Sequence, residues 1–358
     1  MSKKSSSTIL VDSQTLSSLM PRKTFDYHSG ASITSLNFDD SGQYLISAGI
    51  DKSIQLYDVH KGIHTKDIQS QKYGAHLAKF THKDLNCLYA STPEAVPQDE
   101  PIDHAIRYLS LSDKKYLRYF KGHKSQVVSL EVDPVHDMFI TSSFDKSVKL
   151  WDLRTSNPTG SVEVGQPVLL AYDPHGIVFV TAKLPGYGGG DGVGELEFYD
   201  TKNVHQVPFL RSTIHTRPEC TWTNIEFANN GKYLLLSTNT SEHYLIDAFS
   251  GRLLTRLVMQ HPNYKLNSHY PVSHTSCFSS CGRYVIAGSS VSELSVFDLV
   301  GIQSSNGSAT VKDSDNPSTL SPFKTISTNQ GIPKLIAFNP KLFTVATADN
   351  SVTLWQPS

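Results

Sequence analysis

Cysteine is scarce in this 358-residue chain, with only Cys87, Cys220, Cys277 and Cys281. They form no C-x-x-C pair and no ladder, and no His/Cys cluster sits beside them. A disulfide scaffold or a thiolate zinc site therefore has no basis, and the four read as buried or neutral thiols in a reducing compartment. Charge of one sign is also lacking: 32 basic side chains face 33 acidic ones. That balance gives no global pull toward nucleic acid, and no direct nucleic-acid contact is expected. No apolar run approaches the ~18 residues of a membrane span, and the Ser/Thr-rich stretch from Met1 to Met20 has no signal-peptide core. The expectation is a soluble intracellular protein with no membrane partner. Fifteen histidines are present, yet none forms H-E-x-x-H or another spaced ligand set, and no G-x-S-x-G turn occurs. No cofactor, metal or catalytic residue is expected, and the chain does not read as an enzyme.

What the chain does have is internal repetition. Gly122-His123 opens one unit, Val127 to Val132 follows as a strand, and Asp133-Pro134 turns the chain into Phe139 to Ser143. Asp145-Lys146 turns it again, and Val148 to Asp152 closes on Trp151-Asp152. This is the GH…WD unit, roughly 40–45 residues long. Weaker copies run from Ile33 to Asp58, Leu85 to Ser110, Val168 to Asp200, Ile225 to Asp247, Ser276 to Asp298 and Leu335 to Trp355. The closing positions Asp58, Ser110, Asp152, Asp200, Asp247 and Asp298 lie about 42 to 52 residues apart, a blade plus variable loops. The fold class is all-β: a seven-bladed WD-repeat β-propeller.

Blades packed face to face bury both sides of most strands, which explains continuous apolar runs such as Tyr233-Leu234-Leu235-Leu236. In the third repeat, His123, Thr141, Asp145 and Trp151 are expected as a buried structural hydrogen-bond set, because their spacing is that of the repeat itself. The seventh repeat ends at Trp355 with only three residues beyond, so it lacks an outer strand. The spare segment Arg22 to His28 is expected to pair there and close the ring with an N-terminal strand. Residues 1–21 then form a flexible tail and residues 22–358 a single propeller. Three inserts read as mobile loops: Pro93 to Pro101, the glycine-rich Leu184 to Gly194, and Gly301 to Pro322. The glycine loop lacks a G-K-[ST] ending, so it is no phosphate cradle. Ser321-Pro322 reads as a turn, with modification as the alternative.

Particular strings go beyond the generic repeat: Lys72-Tyr73-Gly74, Ile106 to Leu111, Tyr116 to Phe120 with Gly122-His123, Phe144 to Leu153, Ile246 to Gly251, and Phe338-Asn339-Pro340-Lys341. In that order, over Phe25 to Pro357, the chain resembles the WD-repeat subunit of the COMPASS histone methyltransferase complex, which in fungi is shared with the cleavage and polyadenylation factor. The resemblance implies a non-catalytic scaffold that supports methylation of lysine four of histone H-three. It implies as partners a SET-domain methyltransferase, other COMPASS subunits, cleavage and polyadenylation factor subunits including a protein phosphatase, and the phosphorylated tail of RNA polymerase II. It further implies roles in transcription termination and RNA 3′-end processing, and a place in the nucleus. The inserts at 184–194 and 301–322 look longer than the family pattern.

Propellers bind through their rim loops and channel mouths. Lys52, Lys124 and Lys146 fall on loops of one rim and are candidates for a basic partner-binding surface that takes a phosphorylated or acidic peptide; ordinary solvated lysines are the alternative. Tyr119 and Phe120 are candidate aromatic anchors, with core packing an equal explanation. Two other functions compete. Trp151-Asp152-Leu153-Arg154 fits the W-D-x-R pattern of substrate receptors of cullin-type ubiquitin ligases. A propeller enzyme would need acids or metal ligands lining the channel mouth, and no repeated acid or histidine set points to one.

Overall fold

A strand such as Tyr233–Thr238 is apolar on both sides, so it needs packed neighbours above and below. The computed structural model describes residues 10–92, 103–185, 192–204, 207–260, 270–289, 292–302, 317–328 and 331–358. It provides those neighbours by setting seven small sheets around a ring. Blade 1 is built from Ile33–Phe38, Tyr44–Gly49, Ser53–Asp58 and Ile63–Gln69. Blade 2 uses His76–Phe80, Asn86–Ala90, Ile106–Ser110 and Lys115–Phe120. Blade 3 uses Val127–Val132, Met138–Ser143, Ser147–Asp152 and Gly160–Glu163. Blade 4 uses Val168–Tyr172, Val178–Lys183, Val193–Asp200 and Leu210–His215.

Blade 5 begins with Trp222–Phe227, Tyr233–Thr238, Glu242–Asp247 and Leu253–Val258. Blade 6 comprises Ser276–Phe278, Tyr284–Gly288, Glu293–Asp298 and Lys324–Ser327. In blade 7 the three strands Leu335–Phe338, Val345–Ala348 and Val352–Pro357 are completed by Leu19–Phe25. Burial falls from the ring outward. Ser53–Asp58 is buried throughout, whereas in the outer strand Ile63–Gln69 only Ile68 is buried and the rest are exposed or half-buried. The core accordingly lies between blades. Phe38, Leu45 and Tyr57 meet Leu335 and Leu354 across blades 1 and 7, and Ile46, Ile54 and Leu56 meet Phe80, Cys87 and Tyr89 across blades 1 and 2. Cys87, Cys220 and Cys277 are buried free thiols and Cys281 is exposed.

The N-terminal strand closes the ring: Leu19 to Phe25 pairs antiparallel with Val352 to Pro357, from Leu19↔Pro357 to Phe25↔Val352. It starts three residues before Arg22 and stops before Tyr27 and His28. The expected flexible tail is also corrected over its described part. Ser13–Ser17 is one helical turn capped by Asp12, and Leu16 is fully buried against Tyr284, Ile286 and Val296 of blade 6 and Trp355 of blade 7. A lone leucine in a Ser/Thr-rich stretch carries no periodicity, so only packing reveals its role. Residues 1–9 lie outside the described residues.

Two loop expectations also shift. Val193 and Gly194 already belong to a strand; residues 186–191 lie outside the described residues. Within 301–322, Ser318–Leu320 adds a fifth strand to blade 5, parallel to Thr255–Leu257; residues 303–316 lie outside. So does the segment 93–102, which includes the insert Pro93 to Pro101. Among the described residues no helix is long and apolar enough to cross a membrane.

Candidate functional site

The repeat hydrogen-bond set comes first, since it has the residue types of a catalytic triad. His123 Nδ1 lies 2.9 Å from Asp145 Oδ2 and its Nε2 lies 2.7 Å from Thr141 Oγ1, while Trp151 Nε1–H donates to Thr141 Oγ1 at 2.8 Å. One orientation satisfies every member: indole to hydroxyl, hydroxyl to imidazole, imidazole to carboxylate. Burial alone would raise the Asp145 carboxyl, but hydrogen bonds from His123, the Lys124 amide and Ser147 outweigh it and hold the carboxyl far below the usual range. Every polar atom is consumed internally, so nothing is left to meet a substrate.

Blade 1 carries a second copy that sequence reading missed. His28 Nδ1 lies 3.0 Å from Asp51, its Nε2 lies 2.8 Å from Ser47 Oγ, and Ser47 meets the Tyr57 hydroxyl at 3.2 Å. The signal was present in the spacing. His28, Ser47, Asp51 and Tyr57 repeat the intervals of His123, Thr141, Asp145 and Trp151 with one extra residue after the histidine. Assigning His28 to a strand hid it.

The three candidate rim lysines divide. Lys52 and Lys146 occupy equivalent tight turns between second and third strands, with φ of 64° and 67°. Lys124 joins Lys146 in blade 3, where its amide donates to Asp145 Oδ2 at 2.8 Å. Lys124 and Lys146 thus flank one carboxylate and are exposed, whereas Lys52 is half-buried and sits two blades away. Among the described residues none of the three ammonium groups is held in an ion pair. The candidate anchors separate as well. Phe120 is fully buried, edge-on to Phe139 and Trp151. Tyr119 is exposed, 5.3 Å from the Tyr116 ring. Beneath this pair, the buried Arg107 stacks 3.6 Å over the Tyr73 ring and donates to Asp103 Oδ2 at 3.0 Å. Arg154 of the W-D-x-R string forks back onto Asp152, at 2.9 Å from Nε and 2.6 Å from Nη2.

The channel holds a group that sequence reading did not find. Each inner strand places its next-to-last residue opposite the middle of the second strand: Asn37↔Ile46, Lys79↔Leu88, Glu131↔Ile140, Ala171↔Val180, Glu226↔Leu235, Cys277↔Ile286 and Ala337↔Ala346. These seven equivalent positions line one cavity of about 350 Å³ on the channel axis. Lys79 Nζ bridges to Glu131 at 2.5 and 2.6 Å. Burial pushes the Glu226 carboxyl up to about 8, against opposing pulls from the Phe278 amide and Lys79. Burial likewise lowers His274 to about 3. At the other end of the inner strands, the ring of His76 in blade 2 and that of Tyr270, in the segment before blade 6, lie 4.0 Å apart and tilted by 33°. The positional signal was one residue before the last apolar residue of each inner strand. Among the described residues no group of three His, Cys, Asp or Glu is placed to hold a metal ion.

Comparison with known proteins agrees with this architecture and extends it. The description "WD domain, G-beta repeat" matches residues 19–58 and 114–152. The chain is 31% identical to the Set1 complex component swd2 of Schizosaccharomyces pombe, over 97% of this chain and 99% of that protein. It is 33% identical to the COMPASS component SWD2 of Saccharomyces cerevisiae, over 90% of each. It is 32% identical to WD repeat-containing protein 82 of Drosophila melanogaster, over 91% of this chain and 90% of that protein.

Proposed function

The chain belongs to the WD-repeat family that includes the Swd2 components of Set1 and COMPASS complexes and WD repeat-containing protein 82, and from that membership we propose that it is a non-catalytic scaffold subunit of a COMPASS-type histone methyltransferase complex. The observation that carries this reading is similarity along nearly the whole length of proteins named as complex components. It is supported by a ring whose His–Thr–Asp set is spent on holding blade 3 together. In this role the propeller holds a SET-domain methyltransferase and the other COMPASS subunits, aids methylation of lysine four of histone H-three, and works in the nucleus.

A finer role extends the proposal. The same subunit serves the cleavage and polyadenylation factor, with its protein phosphatase, in termination and 3′-end processing. Lys124 and Lys146, exposed on loops of blade 3, with Lys52 further round the rim, take the phosphorylated tail of RNA polymerase II, since phosphate oxygens accept charge-assisted hydrogen bonds.

Affinity purification of the tagged chain from nuclear extract, followed by mass spectrometry, tests the scaffold role. Recovery of a SET-domain methyltransferase supports it, and polyadenylation factors in the same eluate support the shared role. Recovery of cullin components with neither group would replace it with a ubiquitin-ligase receptor. For the rim, reversing Lys52, Lys124 and Lys146 to Glu should abolish binding of a phosphorylated tail peptide; unchanged binding would refute it.

A further inference from the structure

The interior of the channel cavity holds two carboxyl groups, Glu131 and Glu226, and one lysine, Lys79. Lys79 from blade 2 is committed to Glu131 from blade 3. Glu226 from blade 5 takes a single long hydrogen bond, from the Phe278 amide to Oε1 at 3.4 Å. Among the described residues no cation stands within ion-pair range of it. Its neighbours round the ring are small: Ala171 on one side, Cys277 and then Ala337 on the other. That sector of the channel is therefore open space, whereas a long side chain at those positions would have filled it.

The mouth is acidic. Asp39, Asp40 and Asp173 line the entrance. Asp40 is paired with His82 at 2.6 Å, and Asp173 accepts amides of its own turn, from His175, Ile177 and Val178.

We propose that this cavity is a binding site for the cationic end of an arginine or lysine side chain presented by a partner protein, with Glu226 as its counter-ion. The site is independent of the rim lysines and of the scaffold reading. A structural role for Glu226 is real but separable. Oε1 accepts the amide of the next blade's inner strand, as the Asn37 side chain does from Phe80 at 2.9 Å. A glutamine would keep that bond and lose the charge.

The groups facing Glu226 set its proton linkage. They are Lys79 and Glu131 as a neutral pair, His274 held uncharged, the buried Cys277 thiol, and the Asp residues of the mouth. Burial, aided by the Glu131 charge, outweighs the pull of the Phe278 amide and of Lys79 and pushes the carboxyl up to about 8, so that it favours the protonated form at neutral pH. An arriving cation lowers that value and expels the proton, so binding strengthens as pH rises toward 8 and levels off above it.

The test is isothermal titration calorimetry on the full chain with the capped pentapeptide Gly-Gly-Arg-Gly-Gly, its lysine counterpart, and its citrulline counterpart, which has the shape of arginine without the charge. The expected result is binding of a basic peptide at neutral pH with release of close to one proton, read from buffers of different ionisation heat. Affinity should rise by up to about tenfold per pH unit below 8. The Glu226→Gln chain, checked for unaltered unfolding, should bind about tenfold more weakly or worse. A stronger response to lysine than to arginine would identify an ammonium as the occupant. Equal binding of citrulline, absence of proton release, an unaffected Glu226→Gln chain, or no binding of either basic peptide at millimolar concentration would overturn the proposal. The citrulline and proton-release arms decide it even if the variant fails to fold.

Discussion

Replacing Thr141 with valine removes one oxygen from the centre of blade 3 with almost no change of shape. That oxygen lies 2.8 Å from Trp151 Nε1 and 2.7 Å from His123 Nε2, and both Thr141 and Trp151 are fully buried. Valine leaves the indole N–H without an acceptor and the imidazole nitrogen without a donor. Each orphaned group costs about 1–2 kcal/mol, so Thr141→Val should lose about 2–4 kcal/mol. Blade 7 supplies an internal control. There Trp355 Nε1 donates to Thr347 Oγ1 at 2.9 Å, and among the described residues no histidine meets that hydroxyl. Thr347→Val should cost about half as much, near 1–2 kcal/mol. Urea unfolding followed by fluorescence measures both, as midpoint shifts at constant slope. A double-mutant cycle with Trp151→Phe isolates the indole bond, and a coupling of about 1 kcal/mol is expected. A Thr141→Val cost below about 0.5 kcal/mol, or additive single changes, would show that the set contributes no more than packing.

Gly42 has φ of +71°, and a Cβ there would lie 2.1 Å from Asn339 Oδ1 of blade 7, whose Nδ2 donates to Gly42 O at 2.7 Å. Gly42→Ala should therefore destabilise by about 2–4 kcal/mol in the same urea assay, against about 1 kcal/mol for Gly231→Ala, which has similar φ and open space. Leu16→Ala should cost about 2–4 kcal/mol and expose the seam between blades 6 and 7; an effect confined to a few tenths would mean that the helical turn is not packed there in solution. Acid stability gives a third check. Asp145 and Asp51 are both held below the usual carboxylate range in the folded chain, since hydrogen bonds from His123 and His28 and from nearby Ser groups outweigh burial. The unfolded chain thus takes up these protons first. Their contribution is complete above about pH 4 and is lost as pH falls below it. Asp145→Asn should flatten the stability profile between about pH 4 and 2; an unchanged profile would assign acid unfolding to other groups.

Legibility differed by layer of the ring. The inner three strands of most blades could be read because they are buried on both faces and are apolar almost throughout, as in Val168–Tyr172. Outer strands such as Gly160–Glu163 and Lys324–Ser327 are half-exposed and polar, so they carry no comparable pattern. The blade 3 set could be read from spacing, but its blade 1 copy was obscured by a one-residue shift. Tyr119 and Phe120 are equivalent in composition, and only the alternation of an outer strand sends one to solvent and the other beneath Trp151.

The sequence by itself determined the repeat and the number of blades, because these follow from periodic burial. Only the tertiary structure decided where charge meets charge. Asn37, Lys79, Glu131, Ala171, Glu226, Cys277 and Ala337 are spread over 301 positions of chain, from 37 to 337, and no local pattern links them. Ring closure brings them to one axis. There a desolvated carboxyl without a cation differs physically from the same residue on a solvated strand.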